Sequence, residues 1–265
     1  MTIVQHVPAR TQARTPTRIP LGRISTTELR KMLDTRSGFW TVASIAIVSA
    51  LTTGAVILWG DAQDLTYRTF TGAIGVPMSL ILPIIAILSV TAEWSQRSGL
   101  TTFTLVPHRS RIIAGKLVAV VAVALVATPL AFAIGAVGNV VGSGIAGVHT
   151  VWDLDTSTFL TTELANVLGM LVGFMLGVLV RSSPGALVAY FVYQFLLPTL
   201  ALILAAQQDW FSRLQPWVDF DFAQSALYDG LLSSQQWAHL AVTGLIWLVI
   251  PLAVGLRLVV RAEVK

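Results

Sequence analysis

Few side chains in this sequence are placed to do chemistry. The four histidines, His6, His108, His149 and His239, are scattered. None stands deep in an apolar stretch or beside a paired acid, and no HExxH spacing occurs. With no cysteine, thiol catalysis and thiolate metal sites are excluded. Gly142, Gly144 and Gly147 give the GxGxxG pattern of a dinucleotide-binding turn, but they follow an apolar helix and open no βαβ unit. Those glycines are expected to make a flexible loop or a close helix approach. No catalytic residue and no metal site are expected.

The remaining candidates are polar residues inside apolar stretches. Asn166, Tyr190, Tyr193 and Gln194 could line a pathway, or could simply hydrogen-bond between helices. No Asp or Glu is expected in the core of a span. That argues against an intramembrane enzyme and against a proton- or sodium-coupled carrier.

Such residues need a membrane scaffold to position them. Apolar residues make up 55% of the 265 and charged ones only 11%, with a mean hydropathy of +0.76. A soluble fold could not cover that much apolar surface with so few charges. Stretches of roughly the length that crosses a bilayer occur at 39–59, 74–92, 112–137, 164–180, 184–206 and 237–258. Each is predicted to be a helix, because lipid leaves backbone groups no other partner. Pro83, Pro129, Pro198 and Pro251 lie inside these stretches as tolerated kinks. The turn RSSPG predicts Ser183 as an N-cap with Pro184 opening the next helix, and Ser233 with Gln236 predicts a capping box before the last span. Ala165, Gly169, Gly173 and Gly177 recur every four residues and predict a close helix contact.

With six spans, the cations fall overwhelmingly on one side. Of the 17 Lys and Arg, only Arg68 and Arg213 lie on the other, together with Asp61, Asp64, Asp153, Asp155, Glu163, Asp209, Asp219, Asp221 and Asp229. The positive side is cytoplasmic, so both termini are expected there. Residues 207–236 form the longest outer segment, rich in aromatic residues and acids. This is expected to be an aromatic belt at the headgroups, or a pair of short helices over the exit.

On the inner side, residues 1–21 predict a disordered basic tail held near anionic headgroups. Residues 22–38 predict an amphipathic interfacial helix. Ser25 and Glu28 have capping-box spacing, Leu29, Met32 and Leu33 form its apolar stripe, and Gly38 can end it. The transmembrane domain then occupies 39–265. Between the second and third spans lies EWSQRSGLTTFTLVPHRSRIIAGK, residues 93–116. Glu93 marks the exit from the second span, and Gly99 permits a turn. Leu100, Thr101, Thr102 and Phe103 begin a short helix that Pro107 stops. Arg109 and Arg111 sit at the headgroups, and Lys116 is expected to snorkel back to water.

The acid, the Gly-Leu-Thr-Thr step, the Pro107-His108-Arg109 turn and the following Lys116-Leu117 resemble the first cytoplasmic loop of ABC-2-type transporter permeases. The ELRK…TRSG helix and the six-span layout are similar to the same family, from about residue 22 onward.

The resemblance implies an all-α membrane protein of six spans, with an N-terminal connecting helix (Glu28, Leu29, Met32, Leu33) and a coupling helix at about 98–107. It implies an exporter subunit that pairs with a second permease copy, the same or different, in a bacterial plasma membrane. Glu93, Gly99, Leu100, Thr101, Thr102, Phe103, Pro107 and Arg109 would then form the contact with cytoplasmic ATPase subunits. ATP and magnesium would belong to those partners, since this chain has no Walker A sequence and no cofactor of its own is expected. Lipid is the other expected neighbour, and nucleic acid is not. A carrier without ATP coupling, or a membrane scaffold, is the alternative.

Overall fold

The computed structural model describes residues 20–34, 36–95 and 109–261. The predicted basic tail, and the coupling segment with Gly99, Leu100, Thr101, Thr102, Phe103 and Pro107, lie outside the described residues. So do the side chains of Met32, Leu33, Glu93 and Arg109.

The chain is helical throughout the described residues, apart from turns and a single bridge between Thr66 and Val151. Helix α1 spans Leu21–Asp34 and α2 Arg36–Trp59. Helix α3 spans Tyr67–Ser95, α4 Arg109–Ala146 and α5 Thr156–Val180. Helix α6 joins Ser183–Phe191, a π turn at Val192–Leu196, and Leu197–Gln207. Two short helices follow, α7 at Asp209–Val218 and α8 at Phe220–Ser225, then a 3-10 turn at Ala226–Asp229. Helix α9 joins Ser234–Gly244, a second π turn at Leu245–Val249, and Ile250–Arg261.

Among the described residues, five helices are long and apolar enough to cross a membrane: Tyr67–Ala92, Arg111–Ala146, Thr156–Val180, Ser183–Gln207 and Ser234–Val259. Helix α2 contributes a shorter apolar stretch, Ala43–Trp59. Several helices outrun the predicted spans. At 38 residues, α4 is about 57 Å long, well beyond a hydrocarbon core of about 30 Å. It takes in GSGIAG, which is therefore not an open loop but helix up to Gly147, whose φ of +68° ends it. Of the GSGIAG glycines, Gly142 is the one packed closely, since a Cβ there would lie 3.0 Å from the Phe70 ring.

Helix α5 begins eight residues before the expected span. Asp155 N-caps it, accepting from the Thr158 backbone N–H at 3.2 Å. Thr161 returns its hydroxyl to the Ser157 carbonyl at 3.0 Å, so the threonine-rich start stays helical. This puts Glu163, expected outside, within a helix long and apolar enough to cross a membrane.

Helix α5 is the hub of the bundle. Its glycine stripe lies on α3: a Cβ on Gly173 would strike the Pro83 carbonyl oxygen and lie 2.7 Å from Pro83 Cα. Gly177 meets Val90 one turn further along. Buried side chains of α2 to α5 and α9 form one core, including Ile45, Leu82, Val120, Phe174 and Val259. A second core joins α5 to α8 and α9 around Phe220 and Leu227. Helix α6 is by contrast mostly exposed and apolar, as suits a surface in lipid.

Both π turns precede a proline. Pro198 cannot donate to the Gln194 carbonyl, nor Pro251 to that of Trp247. The helix widens instead: the Leu197 N–H bonds to Val192 O and the Ile250 N–H to Leu245 O. The two turns face each other, with the Tyr193 and Trp247 rings 6.3 Å apart.

Candidate functional site

A cavity of about 310 Å³ opens between α3, α5, α6 and α8. Asn166, Tyr190, Tyr193 and Gln194, singled out from sequence, all line it. They share the wall with Asp221, Gln224 and Tyr228, which the sequence reading left in the outer aromatic segment. Their signal was spacing: positions three and seven residues after Asp221 fall on one helical face.

The wall is built around a broken helix bond. Pro83 has no N–H to give the Ser79 carbonyl one turn back. The Tyr190 hydroxyl donates to that carbonyl at 2.7 Å, replacing the lost bond and fastening α6 to α3. Gln194 Oε1 lies 3.2 Å from the same hydroxyl. Gln224 Nε2 donates to Ala165 O at 2.9 Å, which seats α8 on α5. Asn166 Nδ2 donates to Thr128 Oγ1 at 3.0 Å, but its Oδ1 is buried without a partner. The Tyr193 hydroxyl is likewise buried and unpartnered.

Two aspartates on α8 have different fates. Asp219 N-caps the helix, accepting from the Phe222 N–H at 3.1 Å and from Gln215 Nε2 at 3.0 Å. Asp221, two residues on, faces the cavity and has no hydrogen bond or ion pair among the described residues. Burial, and to a lesser degree the Asp219 charge, push its carboxyl up to about 6. Burial also raises the Tyr228 hydroxyl, to about 12.

The far end of the same bundle carries a second arrangement. Helix α1 lies on α4 with Ile24 and Glu28 buried, while Arg23, Thr26, Thr27 and Arg30 are exposed. Gly115 permits the contact, since a Cβ there would be 2.6 Å from Ile24 Cγ2. Ser25 and Glu28 form no cap, because the helix already begins at Leu21. Nor does Lys116 reach water. Covered by α1, it places Nζ 2.7 Å from Glu28 Oε2 and 3.1 Å from Ser89 O. At the other predicted turns, Ser182 rather than Ser183 is the N-cap residue, and Ser183 Oγ lies 2.7 Å from Thr91 Oγ1. The Ser233–Gln236 capping box forms in both directions.

Glu163 is the remaining unusual group. Both its carboxylate oxygens are buried, about 12 Å along α5 from Asp155, with the Thr128 hydroxyl as their polar neighbour. No group of three or more His, Cys, Asp or Glu that could hold a metal occurs among the described residues. No known family model matches the chain, and no curated protein matches it.

Proposed function

We propose that this chain is the membrane-spanning subunit of an ATP-driven exporter, working as a dimer with separate cytoplasmic ATPase subunits. In this reading α2 is the first of six spans, both termini are cytoplasmic, and the 98–107 segment docks on the ATPase. The observation that carries it is the buried Glu28–Lys116 bridge. A helix shaped to lie on a membrane surface is joined there to α4, and through the Ser89 carbonyl to α3. The same two helices reach the cavity at their other ends. A push on the surface helix has a stiff route to a chamber that could hold cargo. Purification from native membranes in gentle detergent tests it. An ATP-hydrolysing chain should accompany the wild type and be lost when Leu100 and Phe103 are both changed to Asp. Its absence from both, with the protein folded, would sink the reading.

Glu163 favours a second reading, a proton-coupled carrier. A buried carboxyl in a span with no cation beside it is costly when charged and commonly serves ion movement. Transport into proteoliposomes driven by a pH gradient without ATP, and abolished by Glu163→Gln, would support this reading over the first.

A further inference from the structure

The cavity's side chains narrow what it can hold. Asp221 is the acid on its wall, and Asp219 stands close enough to repel it. Arg68, at the start of α3, also lines the cavity, but forms no ion pair with Asp221. Three tyrosines share the wall with Asp221: Tyr190 and Tyr193 of α6 and Tyr228 of the 3-10 turn. The Tyr193 hydroxyl, buried without a partner, is an unused acceptor beside them. Met78, Leu82 and Val172 give the same cavity an apolar wall.

We propose that the cavity binds an organic cation, an amine or quaternary ammonium on an apolar body, with Asp221 as its counter-ion. This rests on the reading of the cavity as the cargo site. A half-buried carboxylate with no hydrogen bond or ion pair is unfavourable, and a bound cation would partner it. Tyrosine rings attract ammonium groups through the ring quadrupole, so three tyrosines lining a cavity with one carboxylate suit this class of ligand. An anion would meet the carboxylate of Asp221. A neutral apolar molecule would leave the Asp221 charge buried and unanswered. The volume is at the small end of ligand pockets and suits a single compact body.

Binding should depend on pH. Besides Asp221, the titratable and charged groups lining the cavity are Tyr190, Tyr193, Tyr228 and Arg68. Asp219 is held by its cap and Gln215. Asp221, at about 6, is the group that changes. Cation affinity should therefore be about tenfold lower at pH 5 than at pH 7.5.

The test is calorimetric binding of benzyltrimethylammonium to the full chain in nanodiscs, with neopentylbenzene as its uncharged isostere. Wild type should bind the cation at pH 7.5, more tightly than the isostere. Asp221→Asn should weaken the cation at least tenfold and leave the isostere unchanged. Tyr193→Phe should cost a few-fold, and thermal melting reports whether each variant is folded. If Asp221→Asn fails to fold, the pH series on wild type decides alone. No binding by wild type, equal binding of the isostere, or affinity unmoved by both pH and Asp221→Asn overturns the proposal. The assay contains no ATPase, so its failure leaves the coupling reading standing, and loss of ATPase co-purification leaves cation binding untouched.

Discussion

Lys116 and Glu28 form a buried ion pair, 2.7 Å between Nζ and Oε2, that joins α1 to α4, a helix long and apolar enough to cross a membrane. Taking two charges out of water is costly, and their attraction repays it only while both are present. Glu28→Gln or Lys116→Met alone should destabilise the protein by roughly 3–5 kcal/mol. The double variant should recover much of that loss. Thermal melting in one detergent checks it, and equal losses in single and double variants would show that the pair is not a unit.

Tyr190 and Pro83 should be coupled. Tyr190→Phe leaves the Ser79 carbonyl short of a donor, which should cost about 1–3 kcal/mol. Pro83→Ala restores an N–H in the helix, so in that background Tyr190→Phe should cost much less. A double-mutant cycle measures the difference, and additive losses would remove this account of the α3–α6 contact.

The glycines of the bundle are not equivalent. Gly173→Ala drives a methyl into the Pro83 backbone, which cannot move aside as a side chain would. About 1–3 kcal/mol should be lost. At Gly54 of α2 nothing lies within 4 Å of the added methyl, so Gly54→Ala should gain up to about 1 kcal/mol. Melting temperatures moving in opposite directions are the expected result.

Stability should fall as pH rises through the range set by Asp221. Its carboxyl titrates at 3.8 when unperturbed and at about 6 in the fold, so the native state holds the proton more tightly. The resulting contribution is complete below about 4, declines up to about 6 and is gone above it. Asp221→Asn should flatten this part of the profile and raise the melting temperature at pH 7.5. An unchanged slope in that variant would place the titration elsewhere.

Local rules carried part of this fold into the sequence. Ser233 and Gln236 cap each other because a capping box needs only four consecutive residues. The Ala165–Gly177 repeat marked a close contact, and Gly173 makes it with α3 of the same chain. Where local rules failed, a distant partner decided. Ser25 and Glu28 have the spacing of a cap, but Lys116, 88 residues away, takes Glu28 into an ion pair. Glu163 follows a run of threonines that looks like a polar loop, yet Thr158 and Thr161 turn their hydroxyls onto Asp155 and the α5 backbone. Asn166, Tyr190, Tyr193 and Gln194 stood out as polar residues in apolar helices. Asp221 did not, because only the folding of α8 against α5 turns it toward them.

The π turns of α6 and α9 bear on how tightly chain length constrains this bundle. Each holds one residue more than an α-helical path would need, and one residue is worth about 100° of rotation. Tyr190 can therefore face the cavity while Leu197–Gln207 turns a differently phased surface outward. A one-residue deletion between Val192 and Leu196 would leave a continuous α-helix of almost unchanged length. It would re-aim the whole outer half of α6 and keep Tyr190 on Ser79. The orientation of Leu197–Gln207 is thus set by a residue count within the stretch that also carries Tyr193 and Gln194 of the cavity wall.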